Sequence, residues 1–127
     1  MKYLLDTHAL IWLLDGSSRL PLKTREIIKR NENRIYLCSI SFLEIAIKVG
    51  LGKLTLSFSF EEFLDEVRER DIELLQIKEG HLKRLVALPL LHRDPFDRLL
   101  VATAMAENLT ILTVDENIYK YAVPCLW

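Results

Sequence analysis

Several things are scarce in this chain of 127 residues, and each scarcity removes a class of protein. Two cysteines, Cys38 and Cys125, are too few for a disulfide scaffold, and no metal-type spacing links them. Both sit in apolar runs and read as small buried hydrophobes in a reducing cytoplasm. Four glycines form no Gly-rich phosphate loop, which argues against a nucleotide-binding fold of that kind. No apolar run reaches about 18 residues, so no membrane span and no membrane partner are expected. Basic residues are not in excess: 17 Lys and Arg against 18 Asp and Glu leave a net charge of −1. A global basic field that would advertise nucleic acid is therefore absent, although a local Arg and Lys cluster would suffice. Repeats, linkers and low-complexity segments are also missing. The N-terminus carries Lys2 and much hydrophobicity, but Asp6 and His8 interrupt the run and no small-residue cleavage pattern follows.

What remains is globular. Half the residues are apolar, 28% are charged, and the length suits one domain over residues 1–127 with a sizeable core. Strand and helix signals alternate. Strands are expected at Lys2 to Leu5, Arg34 to Cys38, Ile72 to Ile77, Thr110 to Val114 and Ala122 to Leu126. Helices are expected at Thr7 to Leu14, Pro21 to Asn31, Ile40 to Val49 (stopped by Gly50), Phe60 to Arg70, Glu79 to Ala87 and Pro95 to Glu107. Leu88 to Arg93 reads as extended. The strands are short and apolar throughout, as in a parallel sheet covered on both faces. The fold class is thus α/β, and ligands of such sheets bind beyond the carboxyl ends of the strands.

Five acids fall at that edge. Asp6 follows the first strand and Asp115 the fourth. Glu44 lies in the first turn of the helix after the second strand, and Asp94 and Asp97 open the helix that feeds the fourth. Each fits an ordinary structural role. Asp94-Pro95-Phe96-Asp97 is a good helix start with a cap-like pair, and Ser41 with Glu44 has the same spacing. Asp6 fits a cap, and Asp115 fits a turn with Glu116 and Asn117. Capping does not account for the convergence of the set without a compensating base. Two carboxylates about 4 Å apart repel by roughly 4 kcal/mol at an effective dielectric near 20. Such a cluster needs a cation or raised pKa values, and oxygen-only ligands favour Mg²⁺, with Mn²⁺ as substitute, over zinc. His8 and His92 read as surroundings rather than catalytic bases, while Trp12, Trp127, Phe42 and Phe96 read as packing. Ser39, Thr7 and Thr113 sit close enough to orient a water or phosphate, or simply to cap and pack. Arg93, Arg98, Lys48 and Lys53 are candidate phosphate contacts, or solvated surface.

The ordered set LLDTHALIWLL, YLCSISFLEIAIKVGLGKL, LHRDPFDRLLVATA and LTILTVD, closed by YAVPCLW, resembles the PIN-domain family. Within that family it resembles the VapC-type ribonuclease toxins of toxin–antitoxin pairs. The resemblance spans essentially the whole chain. It implies a three-layer α/β/α sandwich around a parallel sheet of about five strands in order 3-2-1-4-5. It implies that Asp6, Glu44, Asp97 and Asp115 are the acidic quartet, with Asp94 an accessory acid or cap and Thr7 and Thr113 the matching polar positions. None of the acidic positions departs from the pattern. The chemistry it implies is Mg²⁺-dependent hydrolysis of RNA phosphodiester bonds, with a water activated by the metal and a 5′-phosphate and 3′-hydroxyl left behind. It further implies a cytoplasmic protein, a small antitoxin partner, for which the helix pair Leu43 to Val49 and Phe60 to Val67 offers an apolar groove, and a homodimer.

Competing functions make different demands. A metal-dependent phosphatase with an aspartyl nucleophile wants a second Asp two residues after the first, and His8 stands there. A receiver-type domain wants paired acids after the first strand and a Lys near the last, and neither is present. A non-catalytic RNA- or protein-binding module would use the acids only as caps and would lack divalent-ion affinity.

Overall fold

The computed structural model describes residues 1–127. Its sheet has five parallel strands, β1 (Lys2–Leu5), β2 (Arg34–Cys38), β3 (Glu73–Leu75), β4 (Thr110–Leu112) and β5 (Cys125–Leu126), in the order β3-β2-β1-β4-β5. Seven helices join them: α1 (Thr7–Asp15), α2 (Leu22–Lys29), α3 (Ile40–Gly50), α4 (Phe60–Glu69), α5 (Glu79–Ala87), α6 (Pro95–Glu107) and α7 (Glu116–Tyr119). The expected class, strand order and layering are all present.

Period-two alternation along the central strands builds the two cores. Tyr3 and Leu5 of β1, Ile35 and Leu37 of β2 and Leu112 of β4 meet α1, α3 and α4 on one face. Leu4, Tyr36, Cys38 and Ile111 meet α6 and α7 on the other. Where a central strand is buried on both sides it has to be apolar, so β1 and β2 show no alternation after their exposed first residues, Lys2 and Arg34. The edge strands do not follow that rule. Glu73 and Leu74 of β3 are exposed, and Glu73 pairs with Arg34 at 2.6 Å.

Several boundaries differ from expectation for local reasons. β5 shrinks to two residues because Pro124 has no N–H to give the ladder, although its carbonyl accepts from Ile111 at 2.9 Å. β4 stops at Leu112 because the chain then turns into α7, a helix where the sequence suggests only a turn. Pro21 caps α2 instead of entering it. Gly50 does not stop α3. The Leu51 N–H still reaches Ile47 O at 3.0 Å, and the left-handed residue is Gly52 with φ 70°. α1 does end on a left-handed glycine, Gly16, at φ 65°.

α4 begins with a complete capping box, in which Ser59 accepts from the Glu62 N–H at 3.1 Å and Glu62 accepts from the Ser59 N–H at 3.3 Å. Phe63, fully buried, lies edge-on to Phe42 of α3 at 6.0 Å and against Phe60. Replacing Phe63 by Ala is expected to cost about 3–5 kcal/mol, against about 1 kcal/mol for Ser59→Ala. Urea unfolding of the two variants checks the order, and equal losses would mean that α4 is not seated on the core as described.

Candidate active site

The carboxyl edge of the sheet is assembled around one hydroxyl. Thr113, fully buried just past β4, donates from Oγ1 to Asp6 Oδ2 at 2.7 Å. The same Oγ1 accepts from the Asp115 N–H at 3.0 Å. Asp6 stands at the N-cap position of α1 but makes no capping bond, so its carboxylate is not spent on the helix. Asp115 does cap: Oδ1 accepts from the Asn117 N–H at 2.9 Å and starts α7.

Ser41 and Glu44 do not form the capping pair that their spacing allowed. Both lie inside α3, three residues apart on one face. Ser41 is fully buried against Thr7, with hydroxyls 2.9 Å apart, and this contact holds α3 to the start of α1. Glu44 is 4% exposed, and its Oε2 accepts from Lys48 Nζ at 2.6 Å. In the last pair the roles divide. Asp94 Oδ1 accepts from the N–H groups of Phe96 and Asp97, at 2.9 and 3.1 Å, as a cap with Pro95 in the first turn. The Asp97 side chain turns away from that motif and meets His92 Nε2 at 3.2 Å.

Electrostatics tie the acids into one group. Burial, then the charges of Asp94, Asp115, Asp6 and Glu44, push the Asp97 carboxyl up to about 8. Burial also raises Asp6. The Thr113 hydrogen bond and His8 oppose this, while Asp115 and Glu44 add to it. The expectation of a cluster without a compensating base is corrected here, because Lys48 supplies one. Burial pulls its ammonium pKa down, but the bond to Glu44 and the charges of Glu44, Asp94 and Asp97 carry it net upward. One ammonium does not balance five carboxylates, and the rise at Asp97 and Asp6 is, after burial, the response of the cluster to that imbalance.

The other singled-out residues separate clearly. Arg93 and Lys53 are exposed. Arg98, expected as a phosphate contact, is instead committed to the protein. It donates to Pro89 O at 2.9 Å, to Tyr121 Oη at 3.0 Å and to Leu88 O at 3.4 Å, pinning the 88–94 segment to α6. Trp12 and Trp127 pack together at 5.6 Å beside the α1 core, and His8 is exposed beside Trp12. Burial keeps the Cys38 thiol protonated, and burial followed by the charge of Asp6 pushes Cys125 to about 11, so neither is a nucleophile. Sequence reasoning missed the engagement of His92 and all of Tyr121. His92 lies five residues before Asp97, a weak signal, and nothing local links either to Tyr121.

Asp6, Glu44, Asp97 and Asp115 each have one oxygen held by a protein donor and one that accepts no hydrogen bond from the protein. Four hard oxygen donors under mutual repulsion suit Mg²⁺ or Mn²⁺. They are not a finished cage, since no three acidic, His or Cys side chains are already grouped to hold an ion. The two surface hollows lie elsewhere, one against Glu26, Lys29 and Arg30 and the other between Lys2, Tyr36, Leu75, Lys78, Glu107 and Leu109.

A parallel sheet in this order with acids at its carboxyl edge has the architecture of a PIN domain. The chain matches that family, described as PIN domain, over residues 3–124, and it belongs to it. It is 25% identical over 122 residues to ribonuclease VapC22 of Mycobacterium tuberculosis, covering 95% of this chain and 92% of that protein. Among solved structures it is similar to VapBC2 from Rickettsia felis bound to a promoter DNA fragment, with TM-score 0.74, 18% identity and 99% and 98% of the two chains covered. FitAcB from Neisseria gonorrhoeae follows, with TM-score 0.71, 21% identity and 98% and 96% covered. At those identities the structural likeness speaks for the fold.

The raised Asp97 has a direct consequence for stability. From pH 3.8 upward the unfolded chain gives up this proton while the folded one keeps it, so the contribution is fully present below 3.8 and is lost as pH climbs to about 8. With divalent ions chelated, the melting temperature is expected to fall more steeply between about pH 5 and pH 8 in the parent than in Asp97→Asn. Parallel curves would show that Asp97 does not carry the strain of the cluster.

Proposed function

We propose that this protein is a metal-dependent endoribonuclease and the toxin half of a toxin–antitoxin pair. The observation that carries the reading is the set of four buried or half-buried carboxylates at one sheet edge, each with an oxygen that the protein leaves unbonded. The PIN family membership and the similarity to a VapC ribonuclease support it.

Asp6, Glu44, Asp97 and Asp115 are the residues that would hold Mg²⁺ or Mn²⁺. When bound, the ion supplies positive charge to the scissile phosphate and lowers the pKa of an attacking water. The protein's own groups do the rest. Thr113 fixes Asp6 and the Asp115 backbone in one arrangement, and the Thr7–Ser41 contact fixes the spacing between Asp6 and Glu44. Lys48, once released by Glu44, would be free to take a phosphate oxygen, with Lys53 and Arg93 as outlying phosphate contacts. The carboxylates do not require a substrate 2′-hydroxyl, so the preference for RNA rests on the similarity to VapC22.

The partner assignments belong to the same proposal. VapBC complexes among the structural neighbours support an antitoxin. Phe63 and Val67 of α4 are buried in the core and do not line the groove expected between α3 and α4. Large apolar side chains remain exposed on α3 (Leu43, Ile47) and α5 (Leu82, Val86), which supply surface for an antitoxin and for a homodimer. No helix is long and apolar enough to cross a membrane. A cytoplasmic location fits both free thiols and an RNA substrate.

Two observations favour the alternative of a non-catalytic module: Lys48 already pairs with Glu44, and the acids are not preassembled around an ion. Cleavage of end-labelled structured RNAs by the partner-free protein separates the two. Cutting is expected with Mg²⁺ or Mn²⁺, none with EDTA, and a loss of at least about 100-fold in folded Asp6→Asn and Asp97→Asn. Metal-independent cutting, or variants as active as the parent, would overturn the mechanism. No cutting together with no Mg²⁺ binding by calorimetry would favour the module.

A further inference from the structure

Asp97 is the one acid of the quartet whose protein donor is an imidazole, and that imidazole is itself held from behind. His92 Nε2 lies 3.2 Å from Asp97 Oδ2, and His92 Nδ1 lies 2.8 Å from Tyr121 Oη. The Tyr121 oxygen in turn receives an N–H from Arg98 at 3.0 Å. The side chains of His92 and Asp97 are only 9% and 14% exposed, and Tyr121 is 4% exposed. The two rings meet edge-on at 5.4 Å, so the chain of contacts is packed as well as bonded.

The chemistry of the four groups sets one direction along this line. An arginine only donates, so the Tyr121 oxygen accepts from it and keeps one O–H to give. In the state that can hold a cation Asp97 is ionised and only accepts, so Nε2 carries the hydrogen towards it and Nδ1 is the acceptor that faces Tyr121. The Tyr121 O–H fills that acceptor. Every donor then points the same way, from the Arg98 cation through Tyr121 and His92 to the carboxylate. Hydrogen bonds aligned in series polarise one another.

We propose that His92 is a positioning residue for Asp97, set in its tautomer and orientation by a relay that begins on the Arg98 guanidinium and passes through the Tyr121 hydroxyl. The relay occupies Oδ2 and leaves Oδ1 as the oxygen offered to an ion. It also gives Arg98 a role beyond pinning Leu88 and Pro89. The three residues come from the 88–94 segment, α6 and the turn after α7, so the relay couples the acidic edge to three separate parts of the chain. Its effect on metal affinity rests on the nuclease reading, whereas its geometry does not.

The test has two arms on the parent, His92→Gln, His92→Leu and Tyr121→Phe. In the first, recorded at about pH 9 so that Asp97, pushed up to about 8, is ionised, ¹⁵N NMR of the His92 ring is expected to show hydrogen on Nε2 and a hydrogen-bonded acceptor at Nδ1. The Nδ1 resonance is expected to move in Tyr121→Phe. A ring with its hydrogen on Nδ1, or one indifferent to Tyr121→Phe, would overturn the relay. In the second arm, calorimetry with Mg²⁺ or Mn²⁺ is expected to show about 10–100-fold weaker binding in His92→Leu, an intermediate loss in Tyr121→Phe, and a value within about threefold of the parent in His92→Gln, whose amide N–H reaches the Nε2 position. A structural role alone would lower melting temperatures and leave these affinities equal, which would sink the positioning role while the nuclease reading stood. If the parent binds neither ion, the nuclease reading fails with the positioning role, and the relay itself is decided by the ring tautomer.

Discussion

Five carboxylates share the carboxyl edge of a parallel sheet, and their repulsion is borne by the packing beneath them. Leu5 and Leu112, both fully buried, end the two strands that deliver Asp6 and Thr113. The Asp6 N–H bonds Leu112 O at 3.2 Å, so the two loops leave the sheet in register. No single contact at the edge would hold like charges together. The apolar layers on both faces do so, because moving one acid away means unseating a strand or the first turn of a helix. The acids are consequently strained in the electrostatic sense while the backbone around them stays ordinary, with no cis bond and only Asn108 as a non-glycine residue at positive φ.

This division decides what is legible in the amino-acid string. The buried strands announce themselves because a sheet covered on both faces demands an apolar residue at every buried position, and β1, β2 and α6 fall where the pattern puts them. Motif positions such as Asp94-Pro95 carry their own local physics and are equally readable. The edge strands read longer in sequence than they are, since Ile72, Ile77 and Ala122 have strand-like chemistry but no neighbour to pair with. α7 escapes notice because four residues hold too little periodicity to signal a helix.

The site is legible in its acids and not in what surrounds them. Strand ends and helix starts converge by topology, so Asp6, Glu44, Asp97 and Asp115 follow from element order. Which acid caps a helix and which stays free is a matter of side-chain rotamer, and Ser41 with Glu44 shows that the same spacing yields a cap in one place and a buried contact in another. Tyr121 meets His92 across 29 residues of chain, and Lys48 reaches Glu44 by one helical turn. The second is a spacing that sequence can offer, and the first is visible only once the chain has folded.

The flanks of the sheet bear on how other molecules approach. β3 has three residues and carries the Glu73–Arg34 pair, and β5 has two residues with a proline directly before it. Edges this short, one of them carrying a charged pair, offer almost no ladder for an incoming strand. Partners that extend a sheet by adding a strand are thereby turned away, and so is stacking of one copy on the next into fibres. The helices and the acidic edge offer an assembling partner more surface than the flanks of the sheet do.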